Sequence, residues 1–410
     1  MRCRFVLIAK CLYMVITLVL FSNIFTSSEL PWKEKYLAFG VPANSWPGGD
    51  SRNIQMAAYC ETLGFKEDQA ECIKSGEPVK NLYPEATIPV LNYPSLVVDA
   101  FAIFSNYSEA FFMRFWKLNA LMLIVTIFAL TWFYDFKALP FLVFNPIVLL
   151  AVERGNTDAM VFSLIFMPLL LFRKSVFFRI FSLGIATAFK IFPIFAYLAL
   201  MLFHRRKNLL SAMLGVGLSA PLVIFTMLQL PAIIAGTPKG FSYAYGFLSL
   251  LYVPTAKLPT SVAIIYPWIA YLGLAIFAIF SVWTLIWMSK IWSNKADLNQ
   301  FISQLSQTDL ILLVVSLSIF LSTFWFFVSF AYRLVFLIPV FLVMKKSQFF
   351  PVIFLRSLIL FVLWIPVIPF GWVLVNLLCY PLALGLSFLA IQLLLAPDHY
   401  GMFSFRNANR

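Results

Sequence analysis

Six residues near the middle of the chain, Glu153-Arg154-Gly155-Asn156-Thr157-Asp158, set three ionisable groups and an amide between the apolar runs 145–152 and 159–172. Arg154 brings a planar fork of donors that matches the oxygens of a phosphate. Glu153, Asn156 and Asp158 can accept hydrogen bonds from hydroxyl groups or order the turn itself. Gly-Asn is also good turn chemistry, so a tight solvated turn accounts for the same residues. Two more cations stand beside apolar helix ends: Lys190 in "ATAFKIFPIF" and Arg333, preceded by Tyr332, in "SFAYRLVFLIP". Snorkelling side chains and an aromatic belt are one account of these. A site for an anionic lipid head group, drawing on Arg154, Lys190 and Arg333 together, is the other. Asp50, which closes "SWPGGD", reads either as the N-cap of a following helix or as a general base toward a hydroxyl. Asn92 and Tyr93 in "VLNYPSL" are an interface anchor or a contact to substrate.

These residues are carried by a membrane protein. The chain has 410 residues, 62% hydrophobic, 18% aromatic and only 11% charged, more apolar surface than a soluble domain can hide. The apolar runs are long and continuous rather than alternating, which selects helices over a barrel. The net charge of +13 falls mostly in short tracts between those runs, so it reads as topology signals rather than as a nucleic-acid surface. The expected class is all-α and polytopic: a first transmembrane helix over 5–25, a long outer segment over 26–112, further spans within 113–396 and a tail over 397–410, in one integral domain. Counting runs gives about twelve spans, near 116–134, 139–152, 159–172, 176–189, 192–203, 209–230, 261–288, 310–327, 334–344, 349–370 and 372–396 after the first. Several fall short of the roughly 20 residues of a free-standing span, as broken or site-lining helices do.

Alternation from a cytoplasmic N-terminus places Arg173 and Lys174, His204 to Lys207, Lys290 and Lys295, Lys345 and Lys346, and the C-terminal tail inside, in agreement with the positive-inside rule. It places segment 26–112 and the ERGNTD turn together on the outer face. Of the 17 acidic residues, eleven fall between positions 29 and 109, so that segment is more than a tether. Within it, "SRNIQMAAYCETLG" reads as an amphipathic helix with Ile54, Ala57 and Ala58 on one face. Cys60 and Cys72 share this segment, where they are a disulfide or two free thiols. Cys3, Cys11 and Cys379 lie in or at spans. The histidines, His204 and His399, are assigned inside, which argues against a histidine-based metal site on the outer face.

In this order, an outer Gly-Asp before a helix, then "NYP", "NP…ERGNTD", "ATAFKIFP" and "YRLVFL" resemble the polytopic GT-C glycosyltransferases, specifically the bacterial set similar to the polyprenyl-phosphate-mannose-dependent mannosyltransferases of glycosyltransferase family 87. The resemblance covers about 50–339. It implies transfer of a sugar, mannose or another hexose or pentose, from a polyprenyl-phosphate carrier to a glycan or glycolipid acceptor on the outer side of a bacterial inner membrane, with inversion and without metal or cofactor. It also implies Asp50 as base, Arg154, Lys190, Arg333 and Tyr332 at the donor phosphate, and Arg52, Asn92, Tyr93, Glu153, Asn156 and Asp158 toward the rest of the substrate. The first outer segment departs from the family's shorter form, which leaves the acceptor open. A lipid-linked oligosaccharide polymerase or ligase would carry its largest outer loop late in the chain, and the outer stretch 231–260, with Lys239 and Lys257, keeps that alternative open; a secondary transporter would show two matched halves.

Overall fold

The computed structural model describes residues 2–26, 31–39, 41, 54, 94, 97–99, 103, 109–204, 209–231, 233, 244–245, 275, 279, 282, 286, 290, 295–326, 329–368 and 371–395. The described part is helical, apart from an antiparallel bridge of β1 (Ala244–Tyr245) with β2 (Ser329–Phe330). The first helix, α1, covers Arg2–Thr26, and a short α2, Trp32–Leu37, follows. Then come α3 (Glu109–Tyr134), α4 (Leu139–Val143), α5 (Pro146–Arg154), α6 (Thr157–Leu171), α7 (Val176–Phe189), α8 (Ile194–His204) and α9 (Leu209–Leu228). The remainder comprises α10 (Lys295–Gln304), α11 (Gln307–Phe326), a 3-10 segment Ala331–Leu337, α12 (Ile338–Met344), α13 (Phe350–Trp364) and α14 (Gly371–Leu395).

Among the described residues, four helical stretches are long and apolar enough to cross a membrane: Met113–Tyr134, Leu210–Leu228, Gln307–Phe326 and Phe350–Val367. A fifth arises if the bent pair Phe136–Val143 and Pro146–Arg154 is one span. Shorter apolar helices, including Lys10–Asn23, Thr157–Leu171, Val176–Phe189 and Leu377–Leu393, pack beside them. A polytopic all-α membrane protein is the class these elements define. The expected single span over 139–152 is instead broken, with a bend of 57°. The cause lies in Asn145-Pro146. Proline cannot continue the hydrogen bonding of a preceding helix, and the Asn145 side chain accepts from Val148 N at 3.0 Å, starting a new helix with Pro146 at its first position.

Close approach of helices follows from small residues. A Cβ added to Gly184 on α7 would lie 2.2 Å from the Cβ of Ser219 on α9, so these backbones meet where only glycine fits. The Ser219 hydroxyl and the Tyr197 phenol are 3.1 Å apart across the same junction. Between α3 and α6, Thr126 Oγ1 donates to Ser163 Oγ at 2.9 Å, and Arg173, just past the end of α6, packs on Phe133 near the end of α3, so α3 and α6 run parallel. The Trp116 indole donates to the carbonyl of Val152 on α5 at 2.7 Å.

Charge collects at two ends of the bundle. At one, Lys346 pairs with Asp309 at 2.7 Å and Lys345 with Asp135 at 2.7 Å, while the Arg173 guanidinium lies 4.1 Å from the Phe133 ring centroid. This joins the C-terminal ends of α3, α6 and α12 to the start of α11, and gathers three cations that the alternation assigns to one face. The other end, separated by the length of α6, about 22 Å at the usual helical rise, holds the candidate site.

Candidate functional site

The site begins with a turn that is fully specified locally. Gly155 ends α5 in the left-handed conformation, φ 56°, which a side chain would strain. Asn156 then caps α6, accepting from Asp158 N at 2.8 Å. The turn chemistry expected of Gly-Asn is therefore present. The same Asn156 amide reaches across the fold and donates to the Tyr332 hydroxyl at 2.6 Å.

Next to that bond lies a buried charge cluster. Arg333 Nε donates to Asp158 Oδ2 at 2.9 Å, and Lys190 Nζ stands 3.8 Å from Asp158 Oδ1. Arg154 Nε lies 3.0 Å from Glu153 Oε2. The side chains of all five are at most 10% exposed. Snorkelling to water is therefore not what Lys190 and Arg333 do; both turn toward Asp158. Lys190 reaches it because α7 stops there: its backbone is extended, φ −151° and ψ 136°, ahead of Pro193. Asp158 sits in the first turn of α6 and Arg154 in the last turn of α5, the ends where the helix dipole favours each sign.

The floor beneath the charges is aromatic. The Arg333 guanidinium lies 4.9 Å from the Phe192 ring centroid, and Phe336 packs edge-on to both Phe192 and Phe162 at 5.5 Å. An apolar floor raises the strength of every charge interaction above it. Tyr36 of α2 closes another side. Its burial, and secondarily the charge of Glu153, push its phenol well above the ordinary value, so it keeps its proton.

The structure thus unites Glu153, Arg154, Asn156, Asp158, Lys190, Tyr332 and Arg333. Asp50, Arg52, Asn92, Tyr93, Cys60 and Cys72 lie outside the described residues, as does nearly all of the proposed amphipathic helix. Sequence reasoning passed over Tyr36 and Asn119. Asn119 is buried, and neither atom of its amide has a hydrogen-bond partner among the described residues; an amide inside the apolar run "FWKLNALMLIVTIF" was the available signal. Among the described residues no three His, Cys, Asp or Glu side chains gather as a metal site would require. No protein-family model matches the chain, and no curated protein matches it.

Proposed function

We propose that the protein is a GT-C-type membrane glycosyltransferase that moves a sugar from a polyprenyl-phosphate carrier to a hydroxyl of a glycan or glycolipid acceptor. The observation that carries this reading is the buried cluster in which Arg154, Lys190 and Arg333 face two carboxylates, Glu153 and Asp158. Taken together these five side chains hold one net positive charge at the ends of apolar helices. Burying charge there is costly, and such groups point to a task.

The reaction asks for that charge. A base, Asp50 in this reading, takes the proton of the acceptor hydroxyl. The freed oxygen attacks the anomeric carbon from the face opposite the phosphate, and the carbon–oxygen bond to phosphate breaks with its electron pair going to the leaving group. The donor's phosphodiester carries one negative charge and the departing polyprenyl phosphate carries up to two, so cations stabilise the transition state more than the ground state. Short helices such as α6 and α7, 15 and 14 residues long, suit a site at the edge of the bilayer where a carrier lipid enters sideways. The wider proposal includes about twelve spans, a bacterial inner membrane and a site facing outward.

The test is transfer from labelled polyprenyl-phosphate sugars in reconstituted vesicles. Wild type should form a glycosylated acceptor, and Asp50→Asn should lose about 100-fold or more of the rate, the usual contribution of a general base. No transfer by wild type from any such donor would refute the reading; full activity of the variant would remove Asp50 as base. The 57° break between Phe136–Val143 and Pro146–Arg154 also favours a second reading, a transporter with a broken helix at its site. In the same vesicles it would show as solute uptake with no new glycosidic bond.

A further inference from the structure

The register of α3 against α6 brings a second polar group to the cluster. The Thr126–Ser163 hydrogen bond pairs the two parallel helices, the Arg173–Phe133 contact holds the same alignment at their C-terminal ends, and the Trp116–Val152 bond ties α3 to α5 just ahead of the turn. Carried along both helices, that offset sets Asn119 level with Asn156 and Thr157. Asn119 is one turn beyond Trp116 and two turns before Thr126, so it shares the α3 face that meets α6. It is 1% exposed, and Thr157 is 0% exposed. Asn119 Oδ1, Asn119 Nδ2 and Thr157 Oγ1 are all buried, and none has a hydrogen-bond partner among the described residues; Asp158 Oδ1, on the residue next to Thr157, faces the Lys190 ammonium at 3.8 Å. An amide offers two donors and an acceptor, a hydroxyl offers one donor and accepts, and a carboxylate only accepts. Leaving them unmet in an apolar interior is unfavourable.

We propose that Asn119 and Thr157, beside Asp158, form a binding shelf for the hydroxyl groups of the carrier-linked sugar; this rests on the glycosyltransferase reading above. Neutral donor and acceptor groups side by side match a sugar's vicinal hydroxyls, each of which both donates and accepts. They do not match a phosphate, which only accepts. Division of labour follows: Arg154, Lys190 and Arg333 hold the phosphate, and the shelf, on the α3 side of the same helix start, holds the sugar that must present its anomeric carbon.

The experiment uses full-length protein in nanodiscs and two probes, undecaprenyl phosphate and undecaprenyl phosphate carrying one mannose. Asn119→Leu and Thr157→Val keep side-chain shape and remove the polar atoms. Each should weaken binding of the mannosyl lipid about tenfold, the worth of one good hydrogen bond to a buried group, and leave binding of undecaprenyl phosphate unchanged. Neither should lower the unfolding temperature, since the groups removed make no bond among the described residues; Arg333→Gln should weaken both lipids. Equal loss for both lipids, no loss for either, or a fall in thermal stability in both variants would overturn the shelf while leaving the glycosyltransferase reading standing. Failure of wild type to bind either lipid would overturn both.

Discussion

At the residue scale, Asp158 is the hinge of the site's electrostatics. It accepts from Arg333 at 2.9 Å and faces Lys190 at 3.8 Å, occupying the cations that a phosphate would use. Removing one partner of a buried pair costs about 3–5 kcal/mol when the other charge is left without compensation; here Lys190 still faces Asp158, so the cost is the lost 2.9 Å bond and part of that penalty. Arg333→Gln should therefore lower the unfolding midpoint clearly. The double variant Arg333→Gln, Asp158→Asn should recover none of that loss, since it takes from the buried Lys190 ammonium the carboxylate 3.8 Å away. Lipid-phosphate binding should fall in the single variant, which has lost a cation. Differential scanning fluorimetry beside a binding titration separates the two effects; a single variant as stable as wild type would show that the pair does not hold the 3-10 segment to α6. Asp158→Asn alone, which leaves the described cluster one charge more positive, should bind undecaprenyl phosphate about tenfold more tightly, as an interaction of about 1.4 kcal/mol would give. Weaker binding would mean that Asp158 positions the cations rather than competing for them.

At the element scale, the site depends on where helices stop. α5 stops at Gly155, α7 at Lys190, and the 3-10 segment starts just before Tyr332. Much of this was legible. Gly-Asn is a stop followed by a cap in any context, Pro193 ends the run after Lys190, and the segment over 176–189 has the bounds that hydropathy assigns. What could not be read is pairing: Asn156 meets Tyr332, and Asp158 meets Arg333, across 176 and 175 residues of sequence. No local propensity encodes those contacts; they come from the way α6 and the 3-10 segment dock. The break at Asn145 was signalled by Asn-Pro but masked by unbroken apolarity on either side. The α7–α9 junction allows a direct check. Gly184→Ala forces a Cβ against Ser219, and overpacking of this kind costs about 1–3 kcal/mol. The variant should melt earlier and, because α7 delivers Lys190, bind undecaprenyl phosphate less well. Adding Ser219→Gly removes the clashing atoms and should restore both properties, at least in part. A second-site change without any benefit would place the strain elsewhere. At Gly155, φ 56° predicts a loss of about 1–2 kcal/mol for Gly155→Val, from backbone conformation rather than lost contact.

At the scale of the whole molecule, polarity divides between two ends of an apolar bundle, and the membrane's orientation around it follows from which end is more basic in its loops. Arg173, Lys174, Lys345 and Lys346 stand at the end opposite the ERGNTD turn, where Asp135 and Asp309 offset part of their charge. The positive-inside rule counts Lys and Arg and gives acidic residues little weight, so this end is expected in the cytoplasm and the candidate site outside. α2 lies on the site's side, through the proximity of Tyr36 to Glu153. Glu34 of α2 and Lys174 after α6 are both exposed, which makes them fair reporters of the two faces. With the native cysteines replaced, Glu34→Cys should react with a membrane-impermeant maleimide added to intact cells. Lys174→Cys should react only after the membrane is opened or in inverted vesicles. Labelling of both from one side would break the two-ended arrangement itself. A clean reversal would keep that arrangement and move the cluster to the cytoplasmic face, where a sugar donor need not be lipid-linked, and the proposed carrier would lose its main support.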